Sequence, residues 1–294
     1  MIKLLLYGVF LAWLCCSSFQ GIAADIIRIK DRSSSLDLRG QYIDNLMIRA
    51  LRISQEKYGP FTIVRLKADY PSHGVLQLLE KGDLINVSVA MTSDEWENKV
   101  TPIRIPLRRG IFEYRLLLVH KDDLEQYKSI TNVQQLKALP VGLKRGWTTR
   151  SILEALDFNI VDADSYDLIF EMLHNKRFAY TIRGVHEAYE ELRLRKRFFD
   201  DLVVEPNILL HLPAPSYFFV SPQYPKIAER LGFGLEEMVG SGELQQLFEE
   251  AFTKHIDILD LRNRRIIEVG NPLLPVKTPL NRKELWFDFN LADN

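Results

Sequence analysis

The order of predicted strands and helices is clearest in residues 141–182, which read VGLKRGWTTRSILEALDFNIVDADSYDLIFEMLHNKRFAYTI. Short apolar runs at 141–143, 159–161 and 178–182 predict strands, and segments with helical spacing separate them. Strands that alternate with helices indicate a largely parallel sheet whose crossovers are helices. This stretch therefore predicts an α/β fold.

The same alternation occurs nearer the N-terminus. A short strand is predicted at 26–30 and a helix at 41–57, where apolar residues recur at helical spacing. The runs FTIVRL at 61–66 and LINVSVA at 84–90 predict two further strands, with a helix between them. The chain thus contains two alternating units.

Strong strands near 116–119 and 217–220 lie where one unit meets the other. They indicate two lobes connected by two hinge crossings. We predict that lobe 1 comprises residues 25–118 and 216–294, and that lobe 2 comprises the inserted residues 119–215. Each lobe would be a mixed, mainly parallel sheet flanked by helices, with the ligand in the cleft at the carboxyl ends of the strands.

Residues 1–24 have the features of a secretory signal peptide, with the charged Lys3, an apolar run and a small-residue stretch. The apolar run of about 13 residues is shorter than the roughly 20 that a transmembrane helix needs; an uncleaved anchor is the alternative. Cys15 and Cys16 are the only cysteines, and lipid attachment to one of them is a second alternative. We expect the mature protein to begin at Asp25, in the periplasm and without disulfides.

The composition excludes several function classes. The chain has 38 Lys and Arg against 39 Asp and Glu, a net charge of -1, which argues against nucleic acid as a partner. The basic cluster at 193–197 is flanked by acidic residues and is typical of a solvated helix face. Six scattered histidines show no metal-ligand spacing, and no phosphate-binding, dinucleotide or nucleophile motif occurs. We therefore expect no metal, no cofactor and no catalytic residue.

Several segments together resemble a known family. They are LLEKG at 78–82 before a strand, the strand, glycine and threonine-rich helix start at 142–149, the turn at 175–178, and the glycine-linked closing helices at 231–248. Their order and spacing resemble the type II periplasmic solute-binding proteins of solute-binding protein family 3, the amino-acid-binding group. The run at 265–286 is similar to that of a poorly characterised branch of this family.

The resemblance implies a two-lobed, monomeric binding protein that is not an enzyme. Such a protein captures a small polar solute, amino-acid-like or a small carboxylate, for an inner-membrane ABC permease. In the family, a loop after the third strand supplies an arginine that clamps the substrate carboxylate, and here this loop reads MTSDEWE at 91–97, with Glu95 or Trp96 at that position. If the loop folds back, the nearest basic residues could substitute; they are Lys99, Arg104, Arg108 and Arg109.

Two other functions remain open on the same scaffold. One is a sensory role, in which the closed lobes act on a membrane receptor or kinase. The other is an enzyme related to dehydratases or lytic transglycosylases, for which Glu95 or Asp31 would be the catalytic acid.

Candidate ligand contacts follow the predicted strands. Residues 145–149 open a helix, and its N–H groups and threonine hydroxyls can hold a carboxylate or phosphate. A guanidinium such as that of Arg183 binds carboxylates bidentately, and aromatic rings can stack on a ligand. The set is Asp31, Tyr70, Trp96, Arg145, Trp147, Thr148, Thr149 and Arg183. The alternatives are a helix cap for the threonines, an ion pair with Glu187 for Arg183, packing between lobes for Trp147, and turn or loop positions for the others.

Overall fold

The computed structural model describes residues 24–31, 38–66 and 72–288. The predicted signal peptide, except for Ala24, lies outside these residues and stays a prediction. Within the described ranges, every helix is too short or too polar to cross a membrane.

Strands and helices alternate over residues 25–99 and 114–195, as the sequence predicts, whereas three strands follow one another between 202 and 220. The strands are β1 (Asp25–Lys30), β2 (Phe61–Leu66), β3 (Val87–Met91), β4 (Thr101–Ile103), β5 (Tyr114–His120), β6 (Val141–Lys144), β7 (Ile160–Ala163), β8 (Tyr180–Gly184), β9 (Leu202–Val204), β10 (Ile208–His211), β11 (Ser216–Val220) and β12 (Arg265–Glu268). The helices are α1 (Leu38–Ile53), α2 (Gln55–Tyr58), α3 (Ser72–Lys81), α4 (Asp94–Lys99), α5 (Leu124–Lys128), α6 (Val133–Lys137), α7 (Thr148–Ala155), α8 (Tyr166–His174), α9 (Val185–Arg195), α10 (Pro225–Gly240) and α11 (Glu243–Ile258).

The strands form one large sheet and a smaller assembly. The large sheet has the order β12-β10-β5-β8-β6-β7, with β9 also paired to β5. The smaller assembly consists of the parallel pair β1-β2 and the antiparallel sheet β3-β11-β4. Parallel and antiparallel pairs occur together in the large sheet. The predicted mixed α/β fold class is confirmed.

Asn86 joins the two parts of the smaller assembly. Its side chain is fully buried, accepts a hydrogen bond from the Arg28 N–H at 2.7 Å and donates one to the Ile26 carbonyl at 2.8 Å. Its backbone N–H donates to the Arg28 carbonyl at 2.9 Å, and its own carbonyl accepts from the Ser221 N–H at 3.0 Å. The hydrogen bonds of Asn86 therefore connect β1 to the segment before β3, where the two strands themselves do not pair. They also leave the buried backbone groups that Asn86 contacts with partners.

The alternation of side chains along β5 assigns the two faces of the large sheet. Leu116 and Leu118 pack in the first hydrophobic cluster, together with Phe170 of α8, whereas Leu117 and Val119 pack in a second cluster. The second cluster also contains α7 residues, Ile152 and Leu153. Helices α8 and α7 therefore cover opposite faces.

Arg230 of α10 holds the N-terminal elements of the smaller assembly together. Its side chain is fully buried, and each of its five N–H donors is paired. One Nη1 donor binds the Asp25 carboxylate at 2.8 Å, and Nε binds the Ser54 hydroxyl at 3.1 Å. The remaining donors bind backbone carbonyls, those of Leu51, Gly59 and Pro60.

The C-terminal segment contacts both assemblies. Strand β12 pairs in parallel with β10 of the large sheet, so residues 265–268, predicted in lobe 1, lie in the sheet of the predicted lobe 2. The chain then returns to α10, where Arg282 forms a bidentate ion pair with Glu236 at 2.7 and 2.9 Å. The other predicted lobe boundaries stay a prediction.

An ionic cluster of the buried Glu113, the half-buried His211 and the exposed Glu268 lies where the chain passes between the assemblies. His211 Nδ1 is 2.6 Å from Glu268 and its Nε2 is 3.4 Å from Glu113, while its ring stacks on Tyr114 at 4.6 Å. Burial raises the pKa of Glu113, and the hydrogen bond from His211 only partly offsets this effect. Burial alone would lower the pKa of His211, but its hydrogen bonds to Glu113 and Glu268 raise it.

We expect this cluster to make the protein less stable as the pH rises. Both groups bind protons more tightly in the folded state, so the stability they confer is present at low pH and is lost as the pH rises through the folded pKa values. For His211 the loss occurs above about pH 6.5, its unfolded pKa. Urea unfolding between about pH 5.5 and 8.5 should show this slope, and the double variant Glu113→Gln, His211→Gln should flatten it, because both titrating groups are then absent; an equal slope in that variant would contradict the assignment.

We expect Arg230→Met to lower the free energy of unfolding by about 4 kcal/mol, because the Asp25 carboxylate and three carbonyls lose their donor inside the protein. Lys226→Met is the matched control, since Lys226 contacts the other oxygen of Asp25 at 3.1 Å but is half exposed. The control should cost less than about 1 kcal/mol. Denaturant unfolding measures both, and equal losses would show that Arg230 is not the anchor.

Candidate functional site

The elements that carry most predicted contacts end at one edge of the large sheet. Arg115 at the start of β5 pairs with Gly184 at the end of β8. Strand β8 runs parallel to β6, whose last residue, Lys144, leads into residues 145–149. Because neighbouring strands lie about 4.8 Å apart, these residues share a small region of the edge.

The start of α7 presents unpaired donors at this edge. Gly146 has a φ of 80°, a left-handed conformation that favours glycine, and Trp147 follows as the N-cap without a side-chain cap. Neither threonine is therefore the cap. The N–H groups of Thr148 and Thr149 donate to no acceptor among the described residues, whereas the next N–H, of Arg150, donates to Trp147 at 3.0 Å. Thr148 is exposed and Thr149 is buried.

Arg145 and Trp147 have protein partners on either side of this helix start. Arg145 is two-thirds exposed, and its Nε lies 3.3 Å from Asp164 and 3.7 Å from Asp162. Trp147 is half-buried and packs against both hydrophobic clusters. Its ring also lies 4.7 Å from the guanidinium of Arg183. The indole therefore serves packing, with part of its surface left exposed.

Arg183 is held by carboxylates of its own chain. It donates to both carboxylate oxygens of Glu191, at 2.7 and 2.5 Å, and lies 3.4 Å from Glu187. Burial alone would lower its pKa, but the hydrogen bonds to Glu191 and the charge of Glu187 raise it. Rings of Trp147 and Tyr166 flank it at 4.7 and 5.4 Å. The bidentate face proposed for a ligand carboxylate is occupied by Glu191.

The predicted contacts in lobe 1 come from two segments of the smaller assembly. Asp31 follows β1, is half-buried, and donates its N–H to the Leu66 carbonyl at 2.8 Å. Trp96 lies in α4 and packs on Phe219 with ring centroids 5.0 Å apart. Tyr70 lies outside the described residues. The structure therefore shows a packing role for Trp96 and leaves the role of Asp31 a prediction.

The basic residues after β3 are also engaged. Arg104 donates from Nε and Nη2 to one oxygen of Glu97, at 3.0 and 2.7 Å, and the Thr92 hydroxyl donates to the other oxygen at 2.7 Å. Lys99 pairs with Glu95 at 2.9 Å. The other two interact with neighbouring groups: Arg108 lies over the ring of Phe112, and Arg109 donates to the carbonyls of Glu284 and Trp286.

One buried cation at the edge was not predicted as a contact. Arg115 is only 9% exposed, and its buried Nε has no hydrogen-bond partner. Burial lowers its pKa, against the raising effect of Glu187. The signal in the sequence is the single charge near the start of the apolar strand YRLLLVH at 114–120.

Comparisons with known proteins bear on the fold. No protein-family model and no curated protein matches the chain. An ancestral arginine-binding protein bound to arginine is 18% identical, with 72% of this chain and 87% of that chain covered and a TM-score of 0.50. A histidine kinase sensor domain with similarity to periplasmic binding proteins is 12% identical, with 79% and 97% covered and a TM-score of 0.55.

An ancestral amino acid-binding protein, a precursor of cyclohexadienyl dehydratase, is similar as well. It is 17% identical, with 77% of this chain and 95% of that chain covered and a TM-score of 0.51. At these identities the likeness shows the fold alone. The chain has the fold of the type II, two-lobed periplasmic binding proteins, as the resemblance predicted.

We expect Glu191→Gln to lower the free energy of unfolding by about 3 kcal/mol, because it leaves the buried guanidinium of Arg183 without its main counter-ion. Glu190→Gln on the same helix is the control: its partner Arg193 is 59% exposed, so the unfolding midpoint should hardly change. Chemical denaturation of both variants provides the measurement. Equal effects of the two substitutions would contradict a structural role for the pair.

Proposed function

We propose that this protein is a periplasmic solute-binding protein that captures a small polar solute, amino-acid-like or a small carboxylate, between two lobes. The closed form would deliver the solute to an inner-membrane ABC permease. The observation that carries the proposal is the pair of unpaired N–H donors on Thr148 and Thr149, at the edge shared with β5 and β8. A helix start with free N–H groups attracts anionic groups.

The chemistry of this site suits capture rather than turnover. A few convergent polar groups and an aromatic wall are typical of small-molecule sites, and lobe closure around a ligand is a known motion of such folds. The catalytic acids considered for an enzyme have little support. Glu95 is 65% exposed and pairs with Lys99 on α4, as on a solvated helix face, and the role of Asp31 stays a prediction.

A sensory role is the second candidate. The histidine kinase sensor domain has 97% of its length covered and a TM-score of 0.55. In that role the same ligand-bound form would act on a membrane receptor or kinase. Uptake of labelled solute by cells with and without the protein separates transport from sensing. Uptake depends on the protein only if the protein delivers the solute to a permease.

We expect a thermal-shift screen of the protein from Asp25 onward, against amino acids, small carboxylates, polyamines and oligopeptides, to give a specific hit. A ligand that binds only the folded state raises the unfolding midpoint by mass action. Thr148→Pro should then weaken the hit about tenfold, the effect of losing one charge-assisted hydrogen bond. Proline is tolerated at the first position of a helix, so the fold should be unaffected.

Thr148→Ala is the matched control, because it removes the exposed hydroxyl and keeps the N–H. It should bind nearly as well as the wild type. Equal affinity of the proline variant and the wild type would show that the start of α7 is not the site. Silence across the whole panel would contradict the capture function.

A further inference from the structure

We infer that Arg115 is the cationic anchor of the ligand site, and that the captured solute is an organic anion whose carboxylate lies between this guanidinium and the start of α7. The inference rests on the proposed capture function and deepens it by naming the substrate class.

The first step concerns which buried arginines have hydrogen-bond or ion-pair partners within the protein. Among the described residues, arginines with less than a tenth of their surface exposed are Arg115, Arg183 and Arg230. Arg230 has five hydrogen bonds, and Arg183 has the two oxygens of Glu191. Arg115 makes no hydrogen bond or ion pair with any described residue, and its Nε is buried. Its Nη groups are not fully buried, so the guanidinium is largely desolvated and an anion can still reach it and supply the counter-ion that the described residues do not.

The second step is the direction of the side chain. Side chains alternate along β5, and Arg115 therefore lies on the same face as Leu117 and Val119. This is the face that α7 covers through Ile152 and Leu153. Arg115 is also at the end of β5 that pairs with the end of β8. The guanidinium and the unpaired N–H groups of α7 thus share one face and one edge of the sheet.

The third step is the charge around Arg115. The nearby carboxylates already have other partners: Glu187 accepts from the Gly184 N–H at 2.9 Å and lies 3.4 Å from Arg183, and Glu113 contacts His211 at 3.4 Å. Arg183 adds a like charge close to Arg115. A bound anion would neutralise the positive charge of Arg115. A planar carboxylate matches the fork of N–H donors on a guanidinium. Polyamines do not fit this site.

The experiment compares pairs of probes that differ in one charge. The wild-type protein is titrated by calorimetry with L-amino acids and with C2 to C6 carboxylates, each beside its carboxamide. The expected result is binding of one or more carboxylates and a loss of about 10- to 100-fold for the matched amide, as for a charge-assisted hydrogen bond. Arg115→Gln should lose the same factor for the carboxylate and little for the amide.

Arg115→Lys keeps the charge without the planar fork and should give an intermediate loss. Arg193→Gln, an exposed arginine of α9, is the control and should bind like the wild type. Folding is checked by the unfolding midpoint of the ligand-free variants. Arg115→Gln should not lower the midpoint, because it removes an uncompensated buried charge, whereas a purely structural arginine would lower it.

The outcomes separate the two claims. If the wild type binds an amide as well as its carboxylate, or if Arg115→Gln leaves carboxylate affinity unchanged, the anion anchor is wrong and the capture function stands. If the wild type binds no probe at all, both are wrong. If Arg115→Gln does not fold, the carboxylate-to-amide ratio of the wild-type protein and the Arg115→Lys titration decide the question.

Discussion

The smaller assembly depends on one buried guanidinium. Arg230 comes from α10, more than 200 residues after Asp25, and binds the first strand, the end of α1 and the turn before β2. Its charge is tolerable inside the protein only because five acceptors surround it. Close helix packing supports the arrangement, since a Cβ at Gly234 of α10 would lie 2.0 Å from the Ala50 carbonyl of α1. The N-terminal and C-terminal parts of the chain therefore form one core.

The same rule of buried charge distinguishes structural from functional arginines. Arg183 resembles Arg230, because a carboxylate of its own chain neutralises it. Both side chains are buried by the packing around them. Arg115 is 9% exposed and forms no ion pair with a described residue. The start of α7 is similarly incomplete, with two N–H groups that lack acceptors. Two unsatisfied features at one sheet edge point to a common partner.

Much of the fold could be predicted from the sequence, because hydrophobic periodicity reports burial directly. Strand β5 occurs where the run YRLLLVH predicts it, and β8 is shifted only from 178–182 to Tyr180–Gly184. The short strands β4, β9, β10 and β12 were not predicted, since their partners are far away along the chain and short runs carry little pattern.

The site was harder to predict. The sequence identified the start of α7, whose glycine and threonines are adjacent. It could not show that Glu191, eight residues after Arg183, takes both donors of that guanidinium. It also did not single out Arg115 as a candidate contact within the apolar strand β5, because only the structure shows which side chains lack a partner. The roles of the candidate contacts remain predictions, and Tyr70 lies outside the described residues.

The position of Arg230 also has a consequence for the order in which the protein folds. Most strands of the large sheet, β5 to β10, come from the contiguous residues 114–211, so they can pair as soon as that stretch is synthesised. The N-terminal strands β1 and β2 can pair with each other, and Asn86 can bind β1, before the rest of the chain is made, but Asp25 finds Arg230 only when α10 is present. Closing so long a loop is slow. The contacts that Arg230 makes with residues 25–60 are therefore among the last to form, and a chain without α10 leaves the Asp25 carboxylate without this partner.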